Sequence, residues 1–118
     1  MNPFTTPDRI YILRRPQDMR AGVQRLSALV AAEFGMAPAD GSLYVFVSRD
    51  LEKCKMLRFD VNGWCLYYAR LAEGTFRLRR TGAGDELVLL ERRRLMWLLD
   101  GLDPEMEAPA PVAGGRVL

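Results

Sequence analysis

The apolar positions of the chain change their spacing several times, and each change marks an element. Residues 9–14, R-I-Y-I-L-R, form a short apolar run flanked by arginines, which predicts a first strand stopped by Pro16. From Met19 the spacing lengthens: Met19, Val23, Leu26, Val30 and Phe34 share one helical face, while Arg20, Gln24, Ser27 and Glu33 fall off it. This predicts a helix capped by Asp18 and running to about Phe34, where Gly35 ends it before the turn A-P-A-D-G at 37–41. S-L-Y-V-F-V-S at 42–48 is apolar on both faces, as a central strand is.

After the charged loop R-D-L-E-K (49–53), residues 54–61 predict a third strand, and Asn62-Gly63 predicts a tight hairpin into W-C-L-Y-Y-A-R-L. A second turn at Glu73-Gly74 leads to a further expected strand, T-F-R-L-R at 75–79, followed by a flexible link at 81–85. E-L-V-L-L (86–90) reads either as a last strand or as the entry to a final helix over about 91–99. That helix buries Leu95, Leu98 and Leu99, and Gly101 is placed to end it. The expected fold is therefore α+β: a single domain with an antiparallel β-meander sheet of four to six strands and two main helices packed on it. Residues 1–8 are expected to be a flexible N-terminus, 9–103 the folded domain, and the Pro/Ala-rich 104–118 a disordered tail.

Composition narrows the chemistry. The 118 residues suit one small hydrophobic core, and no apolar run approaches the ~20 residues that span a bilayer. The polar, proline-punctuated start does not read as a secretory signal, so a cytoplasmic protein without a membrane partner is expected. Two cysteines, Cys54 and Cys65, and no C-x-x-C pair suggest neither a zinc site nor a disulfide framework. Histidine is absent, which excludes Ser-His and Cys-His catalysis. Asp50, Asp60, Asp85 and Asp100 are scattered without the spacing of a metal cluster. No cofactor, no metal and no catalytic residue is expected, and a small metal-dependent nuclease is the least supported class.

The net charge is only +2, yet it is unevenly spread: residues 1–80 hold thirteen Lys/Arg against eight Asp/Glu, and the segment from Leu95 onward is acidic. Fifteen of the seventeen cationic residues are arginine, whose planar fork suits phosphate and carboxylate partners, although base composition of the genome also produces such a bias.

Pairing across Asn62-Gly63 places Val61 opposite Trp64. One face then carries Lys55, Leu57, Phe59 and Val61 against Arg70, Tyr68, Leu66 and Trp64. Cys54 and Cys65 fall on the other face at opposite ends, beyond disulfide reach, as two reduced buried thiols. With the second turn, Arg70 comes opposite Arg77 and Tyr68 opposite Arg79, and like charges facing each other call for an anion or a carboxylate nearby. Two readings of this face stand side by side. Its aromatics pack under a helix while the arginines reach water, or Tyr68 and the cations engage single-stranded or deformed nucleic acid. Arg14, Arg15 and Arg20 surround the expected helix N-terminus, whose N–H groups favour anions, with Asp18 competing for the same donors. The candidate polyanion-binding set is therefore Arg14, Arg15, Arg20, Lys53, Lys55, Arg70, Arg77, Arg79 and Tyr68. Arg92, Arg93 and Arg94 read as a solvated helix face.

P-Q-D-M-R-A-G-V-Q-R-L (16–26), L-Y-V-F-V-S-R (43–49), K-M-L-R-F-D-V-N-G-W-C-L (55–66), A-R-L-A-E-G-T-F (69–76) and L-L-D-G-L-D (98–103) occur in that order. In this series the chain resembles the small second-open-reading-frame protein (TnpB) of bacterial insertion sequence 66 family elements, which is distinct from the RNA-guided nuclease of the same name. The resemblance spans about residues 8–103. It departs where the family has a Lys-Arg pair and this chain has Ala69-Arg70, where a Trp-Pro is replaced by Leu78-Arg79, and where a Ser/Thr helix cap is Glu91. Arg77, Arg79 and Arg80 are placed to substitute for the lost charge. The resemblance implies a non-enzymatic accessory protein of transposition that works beside a separate cognate transposase, binding it, the DNA ends of the element, or both. A pure protein-interaction scaffold is the alternative. No catalytic residues carry over, and the sequence leaves the oligomeric state open.

Overall fold

A computed structural model of the protein describes residues 7, 9–60, 62–80 and 86–104. The 81–85 link, nearly all of the expected flexible N-terminus and the expected tail from residue 105 onward fall outside the described residues, as does Val61. The elements are β1 (Ile10–Leu13), α1 (Val23–Phe34), β2 (Leu43–Val47), β3 (Lys53–Asp60), β4 (Gly63–Arg70), β5 (Leu87–Leu90) and α2 (Arg92–Leu99). They build one five-stranded sheet in the order β4-β3-β2-β1-β5.

The sheet is antiparallel apart from β1 and β2, which run parallel with Ile10 beside Leu43 and Leu13 beside Phe46. The meander expected from the sequence is present from β2 to β4. β1 joins it as a parallel neighbour of β2, because α1 intervenes as a crossover and returns the chain in the same direction. The 86–90 segment resolves as a strand, with Ile10 opposite Leu90 and Leu13 opposite Leu87.

Every residue of β2 is buried, so both faces of the sheet need a cover. On one face Leu13, Tyr44, Phe46 and Leu57 pack with Leu26 and Val30 of α1 and with Ala21 before it. Val23 and Phe34 complete the helical stripe as partly buried neighbours, and Met19 packs against the same cluster from the segment before the helix. Tyr44 is buried under α1 with its ring stacked on Tyr11 at 5.6 Å, and its hydroxyl meets the Asp40 carboxylate at 3.3 Å. Burial pushes the Tyr44 phenol up to about 12.

The helix itself begins later than expected. Gly22 occupies the cap position, and Asp18 instead closes a turn in which its carboxylate accepts the Arg20 N–H at 2.8 Å. Gly35, at φ +62°, ends α1 in the left-handed conformation that glycine adopts without steric cost.

The other face is covered by α2 and by an irregular stretch where a strand was expected. After Gly74, itself at φ +74°, residues 75–79 pair with no strand but cross beneath the sheet, with Phe76 1% and Leu78 7% exposed. The Phe76 N–H donates to the Leu51 carbonyl at 2.6 Å. Alternating apolar residues here serve as two plugs into the core formed with Ile12, Val45, Val47, Cys54, Leu95 and Leu98. Arg80 fastens the end of this stretch. Its guanidinium donates to the Arg14 carbonyl at 2.8 Å and to the Ser48 carbonyl, and burial lowers its pKa. At the end of α2, Gly101 N–H bonds Leu98 and Leu102 N–H bonds Trp97, the paired closure that a left-handed glycine permits. Pro104, assigned to the tail by composition, is buried, and its carbonyl accepts from Arg94 at 3.2 Å.

The hairpin register differs from the expected one by two residues: Trp64 faces Phe59, and Asp60 lies opposite Gly63. A shift of two leaves every side chain on its predicted face. Cys54 is fully buried, while Cys65 is only partly covered and sits opposite Arg58, four residues along β3 from Cys54. Both are free thiols.

Two measurements check this architecture. Phe76→Ala is expected to cost roughly 3–5 kcal/mol in urea unfolding, as a large core truncation does. Arg77→Ala, on the exposed side of the same stretch, should change stability by less than about 0.5 kcal/mol. Equal effects would contradict the crossing. Burial holds the Cys54 thiol up at about 11, so a thiol-specific disulfide reagent should label Cys65 in the folded protein and Cys54 only after unfolding.

Candidate nucleic-acid interface

The carboxyl ends of the parallel strands β1 and β2 lie at one end of the sheet, and the register brings the start of β3 and the end of β4 there as well. Lys53 is opposite Arg70 and Lys55 opposite Tyr68. All four side chains project from the face that carries α1, because they alternate in phase with Leu57 and Leu66 of that core. Tyr68 is 54% exposed and Arg70 is exposed beside it.

α1 starts at this corner. The Lys55 ammonium donates to the Ala21 carbonyl at 2.9 Å, tying β3 to the segment that leads into the helix. The far end of α1 reaches the opposite flank, where Glu33 pairs with Arg15 and Phe34 lies under the same guanidinium at 5.8 Å. The helix therefore traverses the strands. No side chain caps its first turn, which carries no acidic residue, and Arg25 is exposed there.

An open groove of about 640 Å³ runs between the β1–α1 segment and the β2–β3 loop, lined by residues 16–20, Ser48, Arg49, Asp50 and Lys53. Its floor is built by a compact hydrogen-bonded loop. Asp50 accepts from the Ser48 hydroxyl, from the Glu52 N–H at 3.0 Å and from the Lys53 ammonium at 2.8 Å. Leu51 adopts φ +61°, a strained conformation for leucine, held by its packing in the core and by the Phe76 N–H on its carbonyl. The Lys53 ammonium holds the Asp50 carboxyl well below the usual range. Arg20 does the same for Asp18, taking it to about 2 through a pair of side-chain bonds and a backbone N–H.

Of the sequence-predicted site residues, Lys53, Lys55, Tyr68 and Arg70 come together, with Arg20 across the groove. The rest do not join them. Arg15 is bound to Glu33 and Glu86 on the other flank. Arg14 donates to the Arg79 carbonyl, and Arg79 pairs with Asp103 at 2.8 Å beside α2. Arg77 is exposed on the stretch that crosses the opposite face, so neither the Arg70–Arg77 nor the Tyr68–Arg79 pairing forms. The cause is the route after Gly74, which carries residues 75–79 away from β4. Arg25 and Arg49 are the cations that sequence reasoning missed. Arg49 follows directly on β2, and ligands of sheets with parallel strands gather at those carboxyl ends.

Arg93 and Arg94 both meet Glu91, Arg94 also covers the Trp97 ring at 5.6 Å, and the Glu91 cap position has no side-chain bond. Among the described residues no group of three or more His, Cys, Asp or Glu is arranged to hold a metal ion, and no helix is long and apolar enough to cross a membrane.

Comparison with known proteins agrees with the resemblance read from the motifs. The family model described as IS66 Orf2-like protein matches residues 8–108. An uncharacterized protein of Sinorhizobium fredii (strain NBRC 101917 / NGR234), y4hO, is 32% identical over 95 residues, covering 80% of this chain and 81% of that protein. No solved structure matches the chain. The chain thus belongs to the IS66 Orf2-like family of insertion-sequence accessory proteins.

Proposed function

We propose that the protein assists transposition by binding the DNA of its element through the α1 face of the sheet end, leaving the chemistry to a separate transposase. The observation that carries this reading is the exposed Tyr68 ring beside Lys55 and Arg70, with the neighbouring Lys53 opening onto the groove that Arg20 and Arg49 also line. The cations neutralise phosphates, and the tyrosine offers a π-face on which an unstacked base can lie. Asp18 and Asp50 hold Arg20 and Lys53 in place while leaving part of each cation turned to solvent.

Such binding falls steeply with salt, because each neutralised phosphate releases counterions. In fluorescence anisotropy with DNA from the element's ends, Arg70→Gln is expected to lower the slope of log affinity against log salt by about 1. Tyr68→Ala should weaken single-stranded DNA binding by about 1–3 kcal/mol, roughly five- to 150-fold. Arg79→Gln, bound to Asp103 away from this surface, should leave binding unchanged. No detectable binding by the unmodified protein at low salt would end the DNA reading.

A second reading, a protein-interaction scaffold for the transposase, is favoured by a different surface. An open groove of about 470 Å³ is lined by Tyr11, Glu33, Phe34, Met36, Glu86 and Leu87, and Leu89 on the adjoining edge strand is 63% exposed. Co-purification with the cognate transposase that survives nuclease treatment, and is reduced by Leu89→Lys, is the expected result if this groove takes the partner.

A further inference from the structure

The outer edge of β4 is a row of backbone groups that the sheet itself does not use. The Leu71 N–H donates to the Glu52 carbonyl at 3.0 Å, and the Ser48 N–H to the Lys53 carbonyl at 2.9 Å. These bonds set the phase of the ladder: odd-numbered residues of β4 turn their peptide groups toward β3, and Trp64, Leu66, Tyr68 and Arg70 turn theirs outward. Edge strands of soluble proteins are commonly blunted by proline, an inward charge, a bulge or short length. β4 has eight residues, an unbroken register with β3, no proline, and Arg70 at its end as its sole charge. The opposite edge strand, β5, has four residues and is bounded by Glu86 and Glu91.

We propose that β4 pairs antiparallel with β4 of a second copy of this chain, joining the two sheets about a two-fold axis at Tyr67. Symmetry restricts the register. An axis perpendicular to the sheet keeps α1 of both copies on one face, so facing residues must belong to the same face. All four outward-turned residues find strand partners when Leu66 faces Tyr68 of the second copy and Trp64 faces Arg70 of the second copy. Tyr67 then meets its own counterpart at the axis, and Cys65 meets Ala69.

In this register no like charges face each other, and each Arg70 lies across from a tryptophan ring, a favourable cation–aromatic pair. The Lys53–Arg70 end of each copy comes beside the Asp60 end of the other. A parallel arrangement would instead bring the two basic ends together. Displacing the strands by one allowed step would pair Arg70 with Asn62, which lies in the hairpin connection. The antiparallel pairing also unites the two Tyr68–Lys55 surfaces on one face, although it stands independently of any DNA binding.

The test is done without nucleic acid. Sedimentation of the full chain over a concentration series should show a monomer–dimer equilibrium. Tyr68→Pro removes an outward N–H that the ladder within one copy does not use, so it should give a monomer with an unchanged circular dichroism spectrum. The register is read by crosslinking. In a Cys65→Ser background, Tyr67→Cys should oxidise to a covalent dimer on a non-reducing gel, since non-hydrogen-bonded partners hold their Cα atoms about 4.5 Å apart, within disulfide reach. Leu66→Cys in the same background should not. A protein monomeric at every concentration, a dimer that persists in Tyr68→Pro, or crosslinking through residue 66 rather than 67 would each overturn the proposal.

Discussion

Keeping water away from β2 is the constraint on which the rest of the molecule depends. All five of its residues are buried, with Tyr44 and Phe46 on one face and Leu43, Val45 and Val47 on the other. Fully burying one large apolar side chain is worth about 1.5–3 kcal/mol, so leaving either face open would remove much of what a domain this small has to spend on order. The described residues offer only two helices. α1 lies across one face and cannot cover it all, while α2 is too short for the other, and Phe76 and Leu78 make up the difference. The irregular stretch after Gly74 is therefore a part of the core that lacks regular secondary structure.

The same layering produces the basic end of the sheet. Once α1 returns the chain parallel to β1, the carboxyl ends of β1 and β2 must lie side by side, and the tight β2–β3 loop and the long β3–β4 hairpin bring Lys53 and Arg70 to the same level. Cations spread over fifty residues of sequence are thus gathered without any local motif. Their charge is divided. Some are spent on structure: Arg80 closes two strand ends, and Arg15 clasps the end of α1. Others, Arg25, Arg49 and Arg70 among them, face solvent. The same residue type therefore occurs both as a structural staple and as a solvent-facing cation, and only position separates the two.

Much of this was legible in the chain. The central strand, the helical stripe on α1, the glycine that ends it and the aromatic hairpin follow from spacing alone, and the family resemblance carried the accessory role. Even the two-residue register error left the faces intact, because side chains repeat every second residue. The errors share a cause. Phe76 and Leu78 alternate as strand residues do, yet whether such a segment adds to the sheet or plugs its face depends on which surface is left uncovered. That is a property of the whole fold. Asp18 carries the side chain of a helix cap, but the nearer partner, Arg20, takes its carboxylate, and Gly22 instead occupies the cap position before α1. Arg14, Arg15 and Arg79 meet partners, the Arg79 carbonyl, Glu33, Glu86 and Asp103, that come from distant segments and that spacing alone does not place.

The place of β1 has a further consequence for how the chain acquires its structure. β3 and β4 are neighbours in sequence and can pair as soon as both exist, but β1 borders β5, whose residues come more than seventy positions later. Non-local closure of this kind is slow relative to hairpin formation. During synthesis β1 and β2 would stand with an open edge and an uncovered face until the C-terminal strand and helix arrive. The last twenty or so described residues are thus the closing step of the fold, and a chain cut short of β5 would present β1 as a bare, wholly apolar edge.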